Sequence, residues 1–228
     1  MDSDSSIIRL FNVSKRYGAK YALKDVSLDI KKGEFVFLNG PTGAGKSTLL
    51  KMLYLAETVT EGQIIVNGMN LARISRPKLA LLRRRFGMIF QDYKLISNRT
   101  VFDNIALVLE AAGEKPGYIR KKVMHVLRIT NMEKKIHSFP AMLSGGEQQR
   151  VAVARAMAGN PSIILADEPT GSLDADAAQA TMDFIMKYHE KGATVIIASH
   201  DIQLISRTVN ARSILLKEGE LQRTATML

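Results

Sequence analysis

Apolar positions along the 228 residues fall into three stretches of different period. Up to about Phe90 they form short runs, Ile7–Val13, Val26–Ile30, Phe35–Leu38 and Gly62–Val66. Runs of this length, rich in Val, Ile and Phe, predict strands, and Asn67-Gly68 predicts a hairpin turn. From about Gln91 to Pro161 the spacing becomes helical, over Val101–Ala112, Ile119–Ile129 and Gly146–Ala158. The tail returns to strands, Ile163–Ala166, Thr194–Ser199 and Ser213–Lys217, with a helix over Ala175–Lys191. Strands alternating with helices predict an α/β fold. The length suits one domain with an ample core, and no internal repeat or low-complexity tract interrupts it.

Composition narrows the setting. There is no cysteine, which excludes disulfides and thiolate metal sites and fits a reducing compartment. The acidic, polar start from Met1 to Ser6 is unlike a secretory signal, and no run approaches the roughly 20 apolar residues of a membrane span. The expectation is a cytoplasmic chain that reaches a membrane only through a partner. Net charge is +10, from 32 basic and 22 acidic residues, with clusters at Lys31-Lys32, Arg83-Arg84-Arg85, Arg120-Lys121-Lys122 and Lys134-Lys135. No aromatic residues interleave these clusters and no helix-turn-helix accompanies them. A solvated or anionic-membrane-facing surface is therefore expected, and no nucleic-acid partner.

The chemistry is concentrated in two runs about a hundred residues apart. Gly40-Pro41-Thr42-Gly43-Ala44-Gly45-Lys46-Ser47 fits the pattern of Gly, four residues, then Gly-Lys-Ser/Thr. It follows the apolar run Glu34–Leu38 and precedes the helical run Thr48–Tyr54, so strand, glycine loop and helix occur in the order a phosphate-binding loop needs. Glycines let successive amides turn toward phosphate oxygens, and the helix start adds partial positive charge. Lys46 is then placed for the β- and γ-phosphates and the Ser47 hydroxyl for Mg²⁺. Downstream, the buried run Ser162–Ala166 ends in Asp167-Glu168. Two adjacent carboxylates there read either as a helix cap or solvated strand end, or as a working pair. In the second reading Asp167 holds Mg²⁺ through water and Glu168 activates the attacking water, strand alternation sending the two to opposite faces.

The second run, Leu143-Ser144-Gly145-Gly146-Glu147-Gln148-Gln149-Arg150, opens a helix. Ser144 with Glu147 three residues on has the form of a capping box. The residues alone leave two readings open: a capped helix start, or a second anion site made of its amides and the Ser144 hydroxyl. Two glycines just inside a helix start favour close approach by a ligand.

Taken together, these motifs resemble those of the nucleotide-binding subunits of the ATP-binding cassette (ABC) family, over about Ile7 to Gly219. The resemblance implies a RecA-like parallel sheet core with an N-terminal antiparallel β subdomain and an inserted α-helical subdomain. It divides one domain, 1–228, into a catalytic core of 1–90 and 162–228 and a helical part of 91–161 carrying the signature. Tyr17 matches the aromatic that stacks on adenine, and Gly40 to Thr48 the nucleotide-phosphate loop. Gln91 matches the glutamine that contacts metal or attacking water, and His200 the histidine on the γ-phosphate. Ser144, Gly145, Gly146 and Glu147 match the signature that covers ATP bound to a second subunit. Ser172, Leu173 and Asp174 match the loop that crosses between subunits. ATP and Mg²⁺ are thus the implied ligands, with Ser47, Gln91 and Asp167 around the metal, and the implied assembly is a homodimer closing on two ATP.

Local runs such as Leu82–Arg85, Arg99–Ala106 and His200–Arg207 further resemble the family's cell-division subgroup, which drives an integral membrane protein instead of transporting a solute. Ser172 departs from that subgroup, where Asn is usual. Lipoprotein-release and macrolide-efflux cassettes share much of Asp167–Gly171 and stay open as alternatives, as does a nucleotide-gated tether of division proteins.

Overall fold

The computed structural model describes residues 6–171, 173–208 and 210–226. In chain order the strands and helices begin β1 Ser6–Tyr17, β2 Lys20–Lys31, β3 Phe35–Asn39, α1 Lys46–Leu53, β4 Glu61–Val66, β5 Met69–Asn70 and α2 Arg76–Arg83. They continue β6 Phe86–Ile89, α3 Val101–Ala111, α4 Pro116–Ile129, α5 Gly145–Ala158, β7 Ile163–Asp167 and α6 Ala175–His189. The last are β8 Thr194–Ser199, α7 Ile202–Arg207, β9 Arg212–Lys217 and β10 Glu220–Thr226. Two compact units result, one of 1–83 with 192–228 and one of 84–191.

In the first unit, an antiparallel sheet runs in the order β2-β1-β4-β5. Its β4–β5 turn is the expected Asn-Gly pair, Asn67 at φ 49 and Gly68 at φ 74, both left-handed as a type I′ turn requires. A second group of strands has β3 parallel to β8 on one side and to β9 on the other, with β10 antiparallel to β9. Phe35, Val36, Phe37 and Leu38 are all buried, and β8 is buried throughout. Strands covered on both faces read as unbroken apolar runs, which is why the pattern showed no alternation there.

The second unit pairs β6 with β7 in parallel, from Phe86 opposite Ile163 to Ile89 opposite Ala166. Beside them α3, α4 and α5 share one core that includes Val101, Ile105, Val123, Leu127, Val151 and Ala154. Each helix start carries a local signal. Thr100 with Asp103 and Ser144 with Glu147 form capping boxes, Pro116 sits in the first turn of α4, and Asp174 caps α6. Among the described residues, no helix is long and apolar enough to cross a membrane.

Candidate functional site

In the first unit the chain leaves β3 at Asn39 and reaches α1 through three glycines with positive φ, Gly40 at 150, Gly43 at 82 and Gly45 at 104. Two of them are sterically obligatory. A Cβ on Gly40 would lie 2.1 Å from the Leu216 carbonyl oxygen, and one on Gly45 2.4 Å from that of Ala22. Strands β2 and β9 therefore wall the loop, and the Gly219 amide donates to the Ala44 carbonyl at 3.2 Å. No side chain caps α1, and its first turn holds no acidic residue. Its leading amides and the positive end of its dipole are thus directed to whatever the loop encloses. Lys46 is buried at 7% exposure, its ammonium donating to the carbonyls of Gly40 at 2.7 Å and Pro41 at 3.3 Å. A concave loop of amides with a buried ammonium and the hydroxyls of Ser47 and Thr48 fits a chain of phosphates.

His200 belongs to the same unit. Residues Asn39 and Ser199 are partners in the β3–β8 pairing, so Gly40 and His200 follow side by side from the carboxyl ends of adjacent strands. Ligands of α/β sheets bind at such ends. Tyr17 closes β1 at the hairpin turn with Lys20, and Ala22, which limits Gly45, lies two residues beyond that turn.

The second unit repeats the arrangement. Ile89 and Ala166 pair, so Gln91 and the Asp167-Glu168 pair leave the ends of adjacent strands. Glu168 lies past β7 at φ 46, with the Gly171 amide donating to its carbonyl at 3.3 Å. A left-handed turn, not strand alternation, therefore sets the direction of its side chain. At the start of α5 both halves of the capping box form: the Ser144 hydroxyl accepts from the Glu147 amide at 3.3 Å, and a Glu147 carboxylate oxygen accepts from the Ser144 amide at 2.9 Å. That amide is the main reason the Glu147 carboxyl titrates below the usual range. The box thus occupies the Glu147 amide, leaving those of Gly145 and Gly146 to outside acceptors. Leu173 donates its amide to Thr170 at 3.1 Å, and Asp174 accepts from the Ala177 amide at 2.8 Å as the α6 cap. Ser172 lies outside the described residues.

Three further residues organise this unit, none of them given a site role by the sequence motifs, although Gln149 lies within the signature run. Arg155 of α5 is 8% exposed, and its guanidinium donates to the carbonyls of Lys94 at 2.6 Å and Tyr93 at 2.7 Å. Both are non-glycine residues with positive φ, two and three positions after Gln91. The buried Asn104 exchanges hydrogen bonds with Ile96 and also donates to Arg99 and Thr100, securing the rest of that loop. Gln149, also buried, donates to the carbonyl of Pro169, the residue after Glu168. The signature helix thus holds the loop after Gln91 and the turn after Glu168. The signal for Arg155 lay in the sequence: one charge inside the otherwise apolar run Val151–Ala158.

Comparison with known proteins adds identity to this geometry. The ABC transporter family matches residues 23–171. The cell division ATP-binding protein FtsE of Bacillus subtilis is 42% identical over 219 residues, spanning 95% of each chain. FtsE of Escherichia coli K12 is 43% identical over 216 residues, 94% of this chain and 97% of its own. Among solved structures, the dimeric post-hydrolysis state of the ATP-binding cassette MJ0796 bound to ADP and Pi superposes with a TM-score of 0.89. It is 37% identical and covers 97% of this chain and 99% of its own.

Proposed function

The chain belongs to the ABC transporter family and is an ATPase, and on that premise we propose that it powers a bacterial cell-division complex. In this reading two copies close around two ATP molecules and drive an FtsX-like integral membrane protein, which in turn activates peptidoglycan hydrolases. The chain works at the inner face of the cytoplasmic membrane, held there by that partner. The observation that carries the division role is the reach of the likeness to FtsE proteins, which extends over nearly the whole chain and beyond the nucleotide motifs.

The residues divide the chemistry as follows. Tyr17 stacks on adenine, and the amides of Gly40 to Thr48 with the Lys46 ammonium hold the β- and γ-phosphates. Glu168 takes a proton from the water that attacks the γ-phosphorus, and the bond to the β–γ bridging oxygen breaks to leave ADP and inorganic phosphate. His200 contacts the γ-phosphate, and Gln91 orients the water and reports to the membrane partner. Mg²⁺ suits the hard oxygens of Ser47, Gln91 and Asp167, and when bound neutralises phosphate charge. Among the described residues no three His, Asp or Glu side chains converge as a metal cage. Protein oxygens would therefore share the ion with substrate phosphates, as Mg²⁺ sites commonly do. Ser144 to Glu147 of one subunit cover the ATP held by the other, and Ser172, Leu173 and Asp174 cross between them. Segment 91–161 serves as the helical subdomain that grips the membrane protein. ATP is then interface material, and its hydrolysis opens the dimer.

The test is capture with a Glu168→Gln chain. Turnover should fall on the order of 10²-fold, about 3 kcal/mol of barrier, while ATP still binds. Tagged and recovered from membranes in mild detergent with ATP, it should bring down a four-span protein with one large extracytoplasmic domain, together with divisome components. Recovery of a lipoprotein-release or efflux permease instead would move the work to substrate extrusion. A variant that supports division normally without turnover would leave a nucleotide-gated tether.

A further inference from the structure

Strand β1 ends Ser14-Lys15-Arg16-Tyr17, with an irregular register against β2 between Lys15 and Arg16. Lys15 is only 9% exposed. Its ammonium sits over the Tyr17 ring, 5.0 Å from the centroid. The same ammonium is 2.9 Å from a Glu57 carboxylate oxygen and donates to the Thr58 carbonyl at 2.7 Å. The Glu57 carboxyl is held below its ordinary range first of all by Lys15, and to a lesser degree by the neighbouring Tyr17. Lys15, Tyr17 and Glu57 therefore form one cluster joining the end of β1 to the loop after α1.

That loop is tied to the cluster through Glu57 and Thr58. Behind it lies a cavity of about 200 Å³ lined by Leu55, Glu57, Thr58 and Val59 from the loop and by Ile64 and Leu71. Polar ties hold the loop there: Lys15 with Glu57 and Thr58, Thr60 donating its amide to the Ser14 carbonyl at 2.8 Å, and Arg83 donating to the carbonyls of Tyr54 and Leu55. The Tyr17 ring itself is 48% exposed, and half-exposed rings rotate freely unless a neighbour fixes them.

We propose that Lys15, anchored by Glu57, is a positioning residue for the Tyr17 ring. It occupies one face of the ring and presents the other to the purine base of the nucleotide. This rests on the reading of Tyr17 as the adenine platform. Cation–π contact and base stacking use the same quadrupole, so a fixed cation on one face leaves a single face for the base. The ion pair acts on the base end of the nucleotide, while Lys46 and the glycine loop act on the phosphates.

The experiment measures binding of Mg-ATP and of Mg-tripolyphosphate, which has no base, by titration calorimetry in the Glu168→Gln background. Lys15→Met and Glu57→Gln should weaken ATP by about 3- to 10-fold and leave tripolyphosphate within about twofold. Lys15→Arg keeps a cation over the ring and should restore most of the ATP affinity. Tyr17→Ala should weaken ATP at least as much as Lys15→Met, and adding Lys15→Met to it should cost nothing further. Equal weakening of both ligands by Lys15→Met would overturn the proposal, since it would place the effect in the fold. So would unchanged ATP affinity in Lys15→Met alongside a loss in Tyr17→Ala. No loss in Tyr17→Ala would instead remove the adenine-platform reading on which the proposal stands.

Discussion

Replacing Arg155 with Met tests whether the signature helix holds the loop after Gln91. The guanidinium makes two charge-assisted hydrogen bonds, to Lys94 at 2.6 Å and Tyr93 at 2.7 Å. Bonds to a charged donor contribute about 1.5–3 kcal/mol each, so their loss costs roughly 3–6 kcal/mol. Part is recovered, because Tyr93 and Lys94 have φ of 58 and 48. A left-handed backbone costs about 1–2 kcal/mol per non-glycine residue, and the freed loop can relax that strain. Met fills a similar volume, so no large cavity opens. The net expectation is a loss of about 1–3 kcal/mol with the fold retained, read by urea unfolding followed by circular dichroism. Relaxation should also displace Gln91, and a misplacement on the order of 1 Å lowers turnover by up to about 10²-fold. Turnover should therefore drop at least tenfold, while ATP affinity changes little because the phosphate loop belongs to the other unit. Arg155→Lys, able to reach one carbonyl well, should fall between parent and Arg155→Met. A stability change below about 0.5 kcal/mol with normal turnover would refute the reasoning.

Three more outcomes follow from the sites. Lys46→Ala removes the buried ammonium of the phosphate loop and should weaken ATP by at least about 10²-fold in calorimetry; unchanged affinity would contradict the loop's role. Gly45→Ala places a Cβ 2.4 Å from the Ala22 carbonyl oxygen at φ 104, which should destabilise the chain by about 2–5 kcal/mol in urea unfolding, and a neutral effect would show that the loop yields. Glu147 titrates below the usual carboxylate range because it accepts from the Ser144 amide. Its stabilising contribution is therefore complete above the unfolded value near about 4.3 and disappears as pH falls through the depressed folded value. Thermal stability of the parent should decline more steeply than that of Glu147→Gln between about pH 5 and 3, and parallel profiles would exclude the linkage.

What was legible in the sequence was whatever depends on neighbours in the chain. Burial on both faces makes β3, β7 and β8 read as unbroken apolar runs, and Asn67-Gly68 forms its turn from backbone preference alone. The glycine loop and the signature are likewise contiguous, and their amides act through local geometry. Elements without such an imprint went unread. Helix α2 buries only Leu82, so no apolar stripe marks it. Strand β10 is a polar edge, and α7 is a short helix whose start is marked chiefly by Asp201 accepting from the Leu204 amide.

Tertiary structure alone decided the rest. Lys15 reaches Thr58 across 43 positions, and Arg155 reaches Lys94 across 61. Nothing local to either residue specifies its partner. The chain order shows that a charge is present, but which carbonyls and rings meet it depends on which strands and helices come to lie side by side. Glu168 makes the same point at short range: alternation along β7 suggested its direction, yet the turn at φ 46 set it. Periodicity describes a residue only while the element continues, and the chemistry of this chain is placed where its elements end.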